Sequence, residues 1–167
     1  MSPILAAATE WPQARQNRAM TDTNAPLTVT QEVAERAVRA LYERDPASRG
    51  LGIQILEVAP GSIRASMKVR PDMVNGHDVC HGGYIFTLAD SAFAFCCNSF
   101  NVITVASGAT IDFLAPARAG DELIATATQV WRARRTGLCD ILVTNQHGVS
   151  IAVFRGRSYQ LKGSVVE

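Results

Sequence analysis

The stretch NGHDVCHGGYIFTLADSAFAFCCNSF, residues 75–100, decides the fold. Between Gly82 and Cys97 it holds a single charged side chain, Asp90, among Tyr84, Ile85, Phe86, Leu88, Ala89, Ala92, Phe93, Phe95, Cys96 and Cys97. A helix apolar nearly all round must be enclosed by protein, so a sheet is expected to wrap it. Gly82 and Gly83 stand where that helix begins, with free backbone N–H groups and the positive end of the dipole. Thr87, Asp90, Ser91 and Asn98 recur at steps that place them on one stripe of the helix. A carboxylate on such a stripe costs free energy unless it is used or paired.

On either side of this stretch the period changes. Upstream, Thr28 followed by Gln31 has the spacing of a capping box, and Val33, Ala34, Ala37, Val38 and Leu41 then share one face of a short helix that Asp45-Pro46 ends. Residues 52–58 and 62–69 read as a hairpin turning at Pro60-Gly61, and Asn75-Gly76 as a turn before the central helix. Downstream, residues 103–114, 122–133, 138–146 and 149–160 read as four strands on connections too short for parallel crossovers. The expected class is α+β: an antiparallel sheet of five to six strands around one long helix, in a domain over residues 29–167. Residues 1–28, with Pro3, Pro12 and Pro26 and no sustained period, are expected to form a mobile tail. The open edges of such a sheet need cover, which edge-to-edge dimerisation would supply.

The chain has 167 residues, a hydrophobic fraction of 47% and a formal net charge of +1, which bounds it to one domain with a tail and gives no overall footprint for nucleic acid. No apolar run reaches a membrane span, and the first residues lack the order of a secretion signal, so a cytoplasmic protein is expected. The four cysteines, Cys80, Cys96, Cys97 and Cys139, form no regular framework and read as reduced, buried groups. Charge is uneven along the chain. Arg132, Arg134, Arg135, Arg155, Arg157 and Lys162 face a single acid, Asp140, between residues 123 and 166. Arg155 and Arg157 share one side of a strand, either as a solvated face or to hold a polyphosphate-bearing ligand.

Spacing carries the main chemical inference. Eight residues of helix separate Gly82 from Asp90 by about 12 Å, whereas groups acting on one carbonyl must lie within about 3–3.5 Å of it. If both serve one site, two chains build it, the start of one central helix meeting the middle of the other. The alternative is a core acid satisfied by Ser91, Thr110 or backbone. His77, Cys80 and His81 put three potential metal ligands in five residues, but no further Cys or His stands at ligand spacing, so no metal is expected. Adjacent Cys80 and His81 point apart, which disfavours a nucleophile and base pair, and His81 is better placed to orient the helix start. Asn75 before Gly76 is by itself a turn residue.

The segment NGHDVCHGGYIFTLADSAFAFCCNS, with VASGATIDFLAPARAGDELIATA and FRGRS after it, resembles the hot-dog-fold acyl-CoA thioesterases of phenylacetate degradation, over about residues 30–163. The resemblance implies a curved antiparallel sheet round a central helix, paired into dimers that share their sites and associate further into tetramers. It implies hydrolysis of aryl or arylacetyl coenzyme A thioesters, with coenzyme A as part of the substrate and no separate cofactor. Carried over by motif, the Gly82 N–H polarises the thioester carbonyl beside Gly83. Asp90 of the facing chain acts as nucleophile or general base, Asn75 and His81 assist, and Thr110 supplies a hydroxyl near the aspartate. Arg134, Arg135, Arg155 and Arg157 would either meet the coenzyme A phosphates or form a solvated face, and Phe86, Phe93 and Phe113 are candidate walls for an acyl pocket, with core packing expected for most of them. Two rival readings remain. One is a hydratase or dehydratase of the same fold, which needs an acid/base pair usually including His, absent from residues 83–98. The other is an acyl-CoA-binding protein without catalysis.

Overall fold

The computed structural model describes residues 28–167. The expected tail, apart from Thr28, lies outside the described residues. Helix α1, Gln31–Glu43, starts at Thr30, whose Oγ1 accepts the Val33 N–H at 3.3 Å. The cap therefore sits two residues beyond the expected Thr28, at the same spacing. From there Ala34, Ala37 and Val38 turn inward as the apolar pattern requires. Asp45-Pro46 ends α1 but also opens a second, unexpected helix, α2, Pro46–Gly50. Asp45 accepts the Ser48 N–H at 3.0 Å, and proline occupies the first helical position.

Strands β1, Gln54–Ala59, and β2, Ser62–Lys68, form the expected hairpin, with Ala59 opposite Ser62 and Gly61 at φ 73°. A 3-10 turn over Pro71–Met73 and a loop closed by the Val74–Cys80 bridge lead into α3, Gly82–Asn98. Four strands follow: β3, Thr104–Phe113; β4, Glu122–Ala133; β5, Thr136–Asn145; and β6, Ser150–Gln160. Strand β5 begins two residues before the expected 138. Arg134 takes a left-handed φ of 52°, which tightens the turn so that Ala133 pairs with Thr136 and Gly137 lies within the strand. The sheet runs β1-β2-β4-β5-β6-β3, every pair antiparallel.

Alternation along the strands sends Leu123, Ala125, Ala127, Cys139, Ile141, Val143 and Phe154 onto α3, whose Leu88, Phe93, Phe95 and Cys96 are fully buried. Gly156 permits the closest approach, since a Cβ there would fall 2.7 Å from the Phe93 ring. Truncating Phe93 or Phe95 to Ala should cost about 3–5 kcal/mol. Edge strand β1 lies under α1, where the Gln31 amide donates to the Val58 carbonyl at 2.5 Å. Among the described residues, edge strand β3 pairs only with β6.

Candidate active site

The start of α3 is pinned from three directions. The Cys80 N–H donates to Ala117 O at 2.8 Å, the His81 N–H to Met73 O at 2.8 Å, and the Tyr84 N–H to His81 O at 2.9 Å. His81 is the N-cap, and its Nδ1 accepts the Gly83 N–H at 3.0 Å. This leaves the Gly82 N–H without a partner among the described residues, at the positive end of a 17-residue helix. An oxygen acquiring negative charge would be stabilised there. Phe113, the last residue of β3, lies against Gly82, and a Cβ on that glycine would be 2.8 Å from the Phe113 Cζ.

Asn75 is both a turn residue and a presented amide. Its Oδ1 accepts the His77 N–H at 2.9 Å and its own N–H donates to Val79 O at 2.9 Å. The side-chain NH₂ has no partner among the described residues and points from a backbone held at both ends. His77 is exposed, while Cys80 is buried with its thiol donating to His81 O at 3.7 Å, and burial pushes that thiol up. No group of three His, Cys, Asp or Glu able to hold a metal occurs among the described residues.

Asp90 lies half-buried on α3, in the helical row of Phe86 and Phe93, and forms no hydrogen bond or ion pair among the described residues. Burial holds its carboxyl above the ordinary aspartate value. The partners that would make it a satisfied core acid are elsewhere. Ser91 Oγ meets Ser48 Oγ at 2.8 Å, and Ser48 donates to Asp45 Oδ2 at 2.5 Å. Thr110 is exposed on β3, alternating with Ala109 and Ile111, which pack on the core, so it faces away from the α3 of its own chain. Thr87 shares the stripe and donates to Gly83 O at 2.8 Å. Asn98 does not share it. Buried at the helix end, Asn98 donates to Ala94 O and Thr104 O, both at 2.9 Å, and accepts the Thr104 N–H at 3.0 Å, so it fastens α3 to β3.

The arginines differ in how far they are engaged. Arg155 is held by Asp140 in a bidentate pair, both contacts 2.6 Å, on the outer face opposite Thr110. Arg135 donates to Gln160 O at 3.0 Å and lies 4.8 Å over the Tyr159 ring. Arg132 lies 5.3 Å over Phe100. Arg134 at the β4–β5 tip and Arg157 on β6 are exposed, and neither guanidinium has a hydrogen-bond partner among the described residues. Two features were beyond sequence reasoning: the packing of Phe113 on Gly82, and the Asp45–Ser48–Ser91 chain behind the Asp90 stripe. The Asp-Pro start of α2 was the one local signal for the second.

The sequence matches the thioesterase superfamily over residues 77–152. It is 45% identical over 126 residues to the acyl-coenzyme A thioesterase PaaI of Escherichia coli, covering 75% of this chain and 90% of that protein. The structure of the E. coli PaaI protein from the phenylacetic acid degradation operon matches with a TM-score of 0.80 at 43% identity, over 81% of this chain and 99% of the other. A hypothetical thioesterase of Streptococcus pneumoniae, solved with coenzyme A, matches with a TM-score of 0.64 at 25% identity, over 67% and 90% of the two chains.

Proposed function

Because the chain belongs to the thioesterase superfamily and has its hot-dog fold, we propose that it hydrolyses acyl-coenzyme A thioesters in phenylacetate catabolism. The substrates are aryl or arylacetyl esters of the phenylacetyl or hydroxyphenylacetyl type, and the products are the free acid and coenzyme A. One observation carries this reading: an N–H at Gly82 and a carboxyl at Asp90, both without a partner among the described residues, stand on the same helix eight residues apart.

The thioester carbonyl accepts the Gly82 N–H. Asp90, acting as base, takes a proton from water as the hydroxide oxygen bonds to the carbonyl carbon, and negative charge moves onto the carbonyl oxygen. Collapse of that intermediate breaks the C–S bond and expels the thiolate. With a thiol pKa like that of cysteine, about 8.5, that step needs little help from an acid. Acting instead as nucleophile, Asp90 would form an acyl anhydride that water then opens. One such oxyanion donor is worth about 2.7–4 kcal/mol in the transition state. Gly82 and Asp90 of one chain are about 12 Å apart along the axis. The site is therefore built by two copies, paired through the free edge of β3 and associating further into a homotetramer. The Asn75 amide orients water or the carbonyl, His81 and Gly83 hold the helix start, and Thr110 faces the reacting groups across the interface. Arg134 and Arg157, with Arg135, meet the coenzyme A phosphates. The enzyme works in the cytoplasm without a resident cofactor or metal, and among the described residues no helix is long and apolar enough to cross a membrane.

The test is thiol release from phenylacetyl, hydroxyphenylacetyl, benzoyl and straight-chain coenzyme A esters. Release from the arylacetyl esters is the expected result. Tight coenzyme A binding with no thiol released over hours would instead make this a binding protein, and hydration of an enoyl ester without hydrolysis would make it a hydratase.

A further inference from the structure

We propose that Phe113 is the residue that selects aromatic acyl groups, by offering its open ring face beside the Gly82 N–H; this rests on the thioesterase reading above. The other two phenylalanines of the expected pocket are spent on the core. Phe93 is buried between Phe154 and Gly156, and Phe86 meets Phe154 edge-on with ring centres 5.3 Å apart. Phe113 is 53% exposed. It has the strand parity of Ala109 and Ile111, whose side chains turn toward α3. At the end of β3, however, the facing helix residue is a glycine, with no side chain to cover the ring.

The ring borders an open cavity of about 420 Å³ whose walls include Val79, Cys80, Ile85, Leu114, Pro116 and Ala117. Among the described residues no charged side chain lines it, and the Cys80 thiol in its wall already donates to His81 O. A space of about 150 Å³ with apolar walls is enough to take up benzene. A carbonyl oxygen accepting the Gly82 N–H lies about 3 Å from that nitrogen, so the carbonyl's substituents come within a few ångströms of the Phe113 ring. Of the two substituents, the apolar acyl group suits this cavity. The pantetheine arm, with its amides, would leave polar groups unpaired there. Ring-on-ring contact favours an aryl acyl group over a linear one by about two- to tenfold beyond the area it buries.

The experiment compares kcat/KM for phenylacetyl-CoA and butyryl-CoA in the wild type, Phe113→Leu and Phe113→Ala. The expected result is a fall of about 10-fold or more in the phenylacetyl to butyryl ratio for Phe113→Ala, with a smaller fall for Phe113→Leu. Phe113→Leu keeps an apolar side chain on Gly82, and far-UV circular dichroism with thermal melting of both variants shows that the fold is intact. Equal losses on both esters, or none on either, overturn the selectivity while leaving the hydrolase reading in place. A wild type that releases thiol from no ester overturns that reading, and the selectivity with it.

Discussion

The Nδ1 of His81 accepts the Gly83 N–H at 3.0 Å, which divides the helix start into one donor that is used and one, at Gly82, that has no partner among the described residues. The imidazole is thereby assigned to holding the helix start. His81→Ala removes the cap and should lower stability by about 0.5–2 kcal/mol, with turnover falling as the Gly82 amide loosens. His81→Asn, which can accept the same N–H, should recover both, as read by thermal melting and thiol release. A His81→Ala variant that melts like the wild type but has lost its turnover would instead assign the ring a chemical role.

Asp90 should trade stability for function. Burial raises its folded-state pKa, so the folded protein keeps the proton to higher pH than the unfolded chain does. As pH rises through that window the folded state is the one holding more protons, and its stability falls. Asp90→Asn removes the charge that burial penalises. The variant should therefore melt at or above the wild-type temperature near pH 7, the difference shrinking as pH drops toward about 4. Its turnover should fall by about 10²–10⁴-fold. In the wild type, the acid limb of kcat/KM should lie above the ordinary aspartate value of about 3.9. A melting temperature clearly lower in Asp90→Asn near neutral pH would mean that the carboxylate has a stabilising partner in the assembled protein.

The central helix was legible to within one residue at either end, because an apolar run opened by two glycines admits one continuous buried element. Strand β4 was legible at both bounds, Glu122 and Ala133, although its alternation lapses at the register shift between Gln129 and Trp131. What failed was local chemistry with two meanings. Asp45-Pro46 stops one helix and starts the next, and Thr28 and Thr30 offer the same cap spacing. Asn98 was misplaced because a helical stripe says nothing of β3, whose Thr104 takes up the Asn98 amide. The position of β3 beside β6, and hence of Phe113 over Gly82, depends on how α3 crosses the sheet, which no short-range pattern encodes. The spacing of Gly82 and Asp90 was readable because a helix converts sequence distance into length.

The basic edge splits into engaged and free arginines, and the split should appear in substrate affinity. Asp140 holds both ends of the Arg155 fork, and that hydrogen-bonded pair keeps the Asp140 carboxyl below the usual range. Its contribution to stability is present above the unfolded aspartate pKa and is lost as pH falls through the lower folded value. Both side chains are substantially exposed, so Arg155→Ala should leave the melting temperature nearly unchanged. It should also leave KM for coenzyme A esters nearly unchanged. Arg157→Ala and Arg134→Ala remove guanidinium groups with no hydrogen-bond partner among the described residues, and should raise KM for a coenzyme A ester several-fold while sparing the matching pantetheine ester, which lacks the nucleotide phosphates. Added salt should blunt the difference, because exposed charges are screened over about 8–10 Å. An Arg155→Ala variant as impaired as Arg157→Ala would mean that the Asp140 pair opens to receive the nucleotide. Equal effects on the two esters would remove the arginines from phosphate recognition altogether.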